Sequence, residues 1–148
     1  MIRKLIPNLR ELSLVDCSVS DNDIPSLFYY HSKFSTSLII LDLSSNKLTS
    51  STFQLLLNFI LNLQELYLSH INIVLSSLGS SFPSLVILDL SYNNMTSLVF
   101  QGSFNFSSKL QNLYLENCSL MDARFLCHLL SLSILHFLFS PLISAQIC

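Results

Sequence analysis

Charge is scarce in this chain. Of its 148 residues only 11% are Asp, Glu, Lys or Arg while 51% are apolar, which excludes disorder and supplies a large core. The seven Lys and Arg are scattered and the formal net charge is −2, so there is no basic stripe of the kind that neutralises phosphates, and nucleic acid is excluded as a partner. Metal and redox spacings are absent too. Cys17, Cys118, Cys127 and Cys148 form no CxxC pair or zinc pattern, and His31, His70, His128 and His136 form no HExxH. There is no glycine-rich loop, no HRD, no DFG, and no Ser, His and Asp in a recognisable nucleophile context, so neither an enzyme nor a cofactor is expected. The opening MIRKLIPNLRELSL has no long apolar core and no cleavage site, and it is not read as a signal peptide.

What the chain has instead is one frame laid down six times, seen most fully in LVILDLSYNNM at 85–95. The frame is LxxLxLxxN followed two residues on by an apolar residue, and it starts at Leu9, Leu38, Leu63, Leu85, Leu110 and Leu132. Successive starts differ by 29, 25, 22, 25 and 22 residues. In a short strand Leu88 and Leu90 share one face and Asp89 takes the other. Asn93 closes the unit, its amide suited to bonding backbone groups where the chain leaves the strand. Asn46 fills the same slot, and Cys17 and Cys118 fill it as small, mostly buried structural residues. Ile71 stands there in the third unit and cannot make the side-chain bond; the sixth unit has Ser140.

The frame and its spacing resemble leucine-rich repeats. The resemblance implies an α/β repeat solenoid: a horseshoe arc with a parallel β-sheet on the concave face and loops, 3₁₀ turns or short helices on the convex face. No unit buries enough leucine to offset its own ordering, so neighbours must stack and the array folds cooperatively. Among the returns, TFQLLLNFILNL at 52–63 has Phe53, Leu56, Leu57 and Ile60 at helical spacing and predicts a short helix. The other returns are rich in Ser and Asn and predict loops or single 3₁₀ turns.

A finer resemblance rests on the LxxLxLxxN frames at 38–46 and 85–93, the LxxLxLxxC frames at 9–17 and 110–118, and VSDNDIPSL at 19–27. The last resembles an LxGxIPxxL return, with Asp21 or Asn22 where glycine is usual and Ile24 and Pro25 in place. Together these resemble the extracellular repeats of plant receptor-like proteins and receptor-like kinases. That resemblance implies a ligand-sensing piece of a cell-surface receptor in defence or developmental signalling, on the extracellular face of the plasma membrane. A protein or peptide ligand and a co-receptor kinase are the implied partners. An intracellular module, as in a ubiquitin-ligase adaptor or a cytosolic immune receptor, stays open as the alternative.

The outward positions of the strands are where a partner would lie. The central column reads Ser13, Asp42, Tyr67, Asp89, Tyr114 and His136. The column before it reads Glu11, Ile40, Glu65, Ile87, Asn112 and Ile134; the column after it reads Val15, Ser44, Ser69, Ser91, Glu116 and Leu138. Asp42, Glu65, Tyr67, Asp89, Tyr114 and Glu116 are the candidate partner-binding residues, the rings as anchors and the carboxylates favouring a basic or amide-rich peptide. Asn94, Asn105 and Asn117 match N-x-[ST] and are glycosylation candidates; composition alone yields about two such matches, so they carry no weight on location.

Residues 1–8 resemble the tail of an earlier repeat, which predicts that the chain is a fragment beginning inside an array. Residues 9–131 hold the clear repeats, and 132–148 are either a degenerate sixth repeat or an unrelated tail. The uncharged stretch at 125–143 also admits a membrane helix, although His128, His136 and Pro141 interrupt it.

Overall fold

In the computed structural model, each frame becomes a three-residue strand, and the strands stack in chain order into one sheet. The structure describes residues 9–29, 37–49, 51–52, 55–56, 62–71, 83–94, 109–118 and 136–138. The strands are β1 (Glu11–Ser13), β2 (Ile40–Asp42), β3 (Glu65–Tyr67), β4 (Ile87–Asp89), β5 (Asn112–Tyr114) and β6 (His136–Leu138), and the helix α1 spans Asp23–Tyr29. All six pair in parallel in the order β1-β2-β3-β4-β5-β6, leaving β1 and β6 as open edges. Parallel neighbours need long crossovers, and the returns between frames supply them.

The alternation within each strand sets the core. Leu41, Leu66, Leu88 and Leu113 point inward and are at most 2% exposed, while their strand neighbours on either side face outward and are half-buried. The other framework leucines join them, and Leu38, Leu43, Leu63, Leu68, Leu85, Leu90, Leu110 and Leu115 are all buried. Each such burial contributes roughly 1.5–3 kcal/mol, but only because the next repeat covers it. At the β1 edge Leu9, Leu12 and Leu14 are only partly buried.

The sheet ladder runs on past the strands. The amides of Leu14, Leu43, Leu68 and Leu90 donate to Asp42, Tyr67, Asp89 and Tyr114 carbonyls of the next repeat at 2.8–3.0 Å. Two residues later the amides of Asp16, Ser45, His70 and Tyr92 donate to Ser44, Ser69, Ser91 and Glu116 carbonyls. Those four, with Asn117, have φ between 49° and 59°, so every described repeat turns inward through a left-handed residue just before its Asn slot. Asp, Asn and His tolerate that region, whereas Ser45 and Tyr92 occupy it at some cost.

The Asn slot then sews each repeat to the one before it. Asn46 Nδ2 donates to the carbonyls of Leu14, Leu43 and Ser44, and its Oδ1 accepts from the amides of Cys17 and Val19. Asn93 repeats the pattern with Leu68, Leu90, Ser91 and the Ile71 amide. Cys118, also buried, keeps one of these bonds, its thiol donating to the Leu90 carbonyl at 3.1 Å. Burial is the main cause holding that thiol above its ordinary pKa. Cys17 departs from the expected burial: it is exposed, because it lies beside β1 at the sheet edge and its Sγ reaches only the Val15 carbonyl. Ile71 is 2% exposed, so its slot is filled by packing alone.

One return differs from expectation, and a second agrees with it where it is described. The IP-bearing return at 19–27, expected to be a loop or a single 3₁₀ turn, holds α1 instead. Ser20 and Asp23 cap it: Asp23 Oδ2 accepts from the Ser20 amide at 2.9 Å and from the Ser20 hydroxyl at 2.7 Å, while the Asp23 amide donates to the Ser20 carbonyl at 3.0 Å, a variant of the N-terminal box. Pro25 sits in the first turn, where a missing N–H costs nothing, and Ile24 and Phe28, one turn apart, are fully buried. In the expected helix at 52–63, residues 52, 55 and 56 are helical, and the remaining positions except 62 and 63 lie outside the described residues.

Asp21 ties these two returns together. Its carboxylate accepts from the Thr49 amide at 3.0 Å and from the hydroxyls of Thr49 and Thr52, and Thr52 is fully buried. Burial raises the Asp21 pKa, but the three hydrogen bonds outweigh it and the net shift is downward from 3.8. A lowered folded-state pKa means the stabilisation is complete above about pH 4 and lost as the pH falls through the folded value. Asp21→Asn is therefore expected to lower stability by about 1–3 kcal/mol at neutral pH. The gap to the parent should close as urea midpoints are followed down into acid; a gap that does not change with pH would refute the clasp.

Candidate partner-binding face

The outward face of the sheet is built by register. Pairing sets Asp42 beside Tyr67, Tyr67 beside Asp89, and Asp89 beside Tyr114, so acid and aromatic alternate across four successive strands. Glu65 lies in the adjacent column, between Ile40 and Ile87, and Glu116 is exposed just past β5. All six candidate residues thus lie on one side of the sheet or at its rim.

Four of them already have work within the fold. Asp42 Oδ1 accepts from the Ser44 amide at 3.0 Å, and Asp89 Oδ1 accepts from the Ser91 amide at 2.8 Å, closing the same small turn in two repeats. The Tyr67 hydroxyl donates to Glu65 Oε2 at 2.8 Å, which fixes the ring over the sheet. Burial pushes the Tyr67 phenol far above its ordinary pKa, and the Glu65 hydrogen bond and the nearby negative charges add to it, so it stays a neutral donor.

The column after the centre is not uniformly exposed. Ser44 and Ser91 are buried, and their hydroxyls accept from the amides of Ser69 and Glu116 in the next repeat at 3.2 and 3.1 Å. Small hydroxyl side chains there complete the backbone, whereas Val15 is 44% exposed at the edge repeat.

The sixth strand sits two residues later than the frame predicts. His136 pairs with Asn112, Phe137 with Leu113 and Leu138 with Tyr114, so Leu138 and not His136 extends the central column. A slide of two residues preserves the inward-outward alternation, and the apolar stretch offers no charge or Asn to pin one register over the other. Among the described residues no helix is long and apolar enough to cross a membrane, and 136–138, within the stretch considered for one, form a strand.

One feature of the face escaped the column reading. The rings of His70 and Tyr92, both exposed, stack with centroids 4.2 Å apart and 12° between their planes. They occupy the same left-handed slot in consecutive repeats, and that shared slot was the available signal. Of the glycosylation candidates, Asn94 and Asn117 are exposed and Asn105 lies outside the described residues, as do Cys127 and Cys148.

The Leucine Rich Repeat family model matches residues 37–59, the unit containing β2, Asn46 and the start of the following return. The chain carries a leucine-rich repeat. The matched unit and the in-register parallel strands around it make the fold an α/β repeat solenoid, an architecture that serves protein–protein interaction. Comparison with curated proteins returns no match.

Proposed function

We propose that this chain is the ligand-recognising part of a plant cell-surface receptor-like protein in defence or developmental signalling. The face carrying Asp42, Glu65, Tyr67, Asp89, Tyr114 and Glu116 receives a protein or peptide ligand, and a co-receptor kinase carries the signal onward. The observation that supports a binding face is the register that lines up Asp42, Tyr67, Asp89 and Tyr114 on one side of the sheet. Half-buried rings beside carboxylates offer contact area and orientation together. The frames ending in Asn46, Asn93, Cys17 and Cys118 support the receptor assignment, which places the chain outside the cell with Asn94 and Asn117 open to glycosylation.

A second reading is favoured by α1. The return that most resembles the plant receptor pattern is a capped helix, and an intracellular interaction module accommodates a helix there equally well.

Protein isolated from its native tissue is expected to lose mass on treatment with peptide N-glycosidase, and Asn94→Gln, Asn105→Gln and Asn117→Gln together to abolish the shift. An unglycosylated protein recovered from cytosol would overturn the receptor reading in favour of the intracellular one.

A further inference from the structure

The outward face is one-sided in charge. β1 to β4 carry Glu11, Asp42, Glu65 and Asp89 at outward positions, Glu116 follows β5, and no Lys or Arg lies among the strand residues of β1–β5. Arg10, Lys47 and Lys109 flank the strands, but the strands themselves supply no positive charge to pair these carboxylates, and that balance favours a cationic partner.

Spacing narrows the partner further. Adjacent strands lie about 4.8 Å apart, so Asp42 and Asp89, two strands apart, are separated by roughly 9.6 Å, with the Tyr67 ring between them. A polyproline-II helix rises about 3.1 Å per residue with three residues per turn, which returns the same side chain to one face every 9.3 Å or so. A β-strand fails the match, since its residues i and i+3 point to opposite sides. The ring in the interval suits the same occupant: polyproline-II segments are recognised by aromatic surfaces on which their proline rings rest. Each aspartate commits Oδ1 to its own turn, and among the described residues Oδ2 accepts no hydrogen bond.

We propose that the column Asp42, Tyr67, Asp89 and Tyr114 docks a polyproline-II segment lying across the strands, with basic side chains at every third residue. The two aspartates take successive basic side chains and Tyr67 takes the prolines between them. This rests on the reading of the outward face as a recognition surface and adds the conformation and charge pattern of what it recognises.

The test compares two labelled peptides of identical composition, RPPRPPR and PRPRPRP, by fluorescence anisotropy on the full chain at low salt. RPPRPPR is expected to bind about tenfold tighter, the equivalent of one charge contact that the wrong spacing cannot make. Asp42→Asn and Asp89→Asn keep the Oδ1 acceptor that closes each turn, so both variants should fold by circular dichroism and lose the preference. Asp16→Asn, in the turn after β1 and not among the six face residues, keeps a side chain that tolerates the left-handed backbone there and should retain it. Equal affinity for the two peptides overturns spaced docking and leaves a cation-binding face standing. Binding of neither peptide overturns the cationic occupant as well, while leaving the glycosidase result to judge the receptor reading separately.

Discussion

Asn46→Ala is expected to destabilise the array by about 3–5 kcal/mol, read as a lower urea midpoint at unchanged slope. The side chain is 8% exposed and holds five backbone groups, three carbonyls through Nδ2 and the Cys17 and Val19 amides through Oδ1. Alanine leaves these groups without their partner, and each buried group so stranded costs about 1–3 kcal/mol before relaxation. The expected total stays below the simple sum because the edge repeat can open and hydrate the two amides. Asn46→Cys gives an internal comparison. Cys118 shows that a thiol in this slot keeps one bond to the preceding repeat, so the cysteine variant should fall between parent and alanine. Equal midpoints for parent and Asn46→Ala would mean that the slot is filled by packing alone, as at Ile71.

Phe28→Ala is expected to cost about 3–5 kcal/mol, by loss of transfer free energy plus the cavity left behind. Phe28 is 1% exposed at the end of α1 and lies one helical turn from Ile24, at 0%. The helix has seven residues and is too short to persist by itself, so its place depends on these two side chains and on the Ser20–Asp23 box. Leu27→Ala, at a partly buried position of the same helix, should cost distinctly less. The pair is best measured together by urea denaturation; similar losses at both positions would show that α1 does not pack by its Ile24–Phe28 side.

The strands were legible because a strand has a period of two and the frame states it in every unit. Once Leu41, Leu66, Leu88 and Leu113 are assigned inward, the outward positions of Asp42, Tyr67, Asp89 and Tyr114 follow, and parallel stacking aligns them. The helix was less legible. Pro25 and the surrounding Ser and Asn read as a loop, yet proline is harmless in a first turn, and Ser20 three residues before Asp23 was a start signal. The register of β6 had no mark in its sequence, since shifting Phe137 from one framework slot to another changes no face. At the site, the aspartates of the two LDLS units were visible as outward carboxylates. Their bonds to the Ser44 and Ser91 amides were not, because those depend on how the chain leaves the strand.

The bonds that the Asn slot makes between repeats all point one way. Asn46 closes groups on the repeat that precedes it, Asn93 does the same for its own predecessor, and Cys118 keeps a remnant of the pattern. A repeat therefore arrives with the seal for its N-terminal neighbour and borrows its own from the unit that follows. On the ribosome, each unit is sealed only when the next has emerged, so folding trails synthesis by one repeat. In a genome, a duplicated unit dropped between two Asn-bearing neighbours brings one seal and receives another, and the array can lengthen without either neighbour changing a residue.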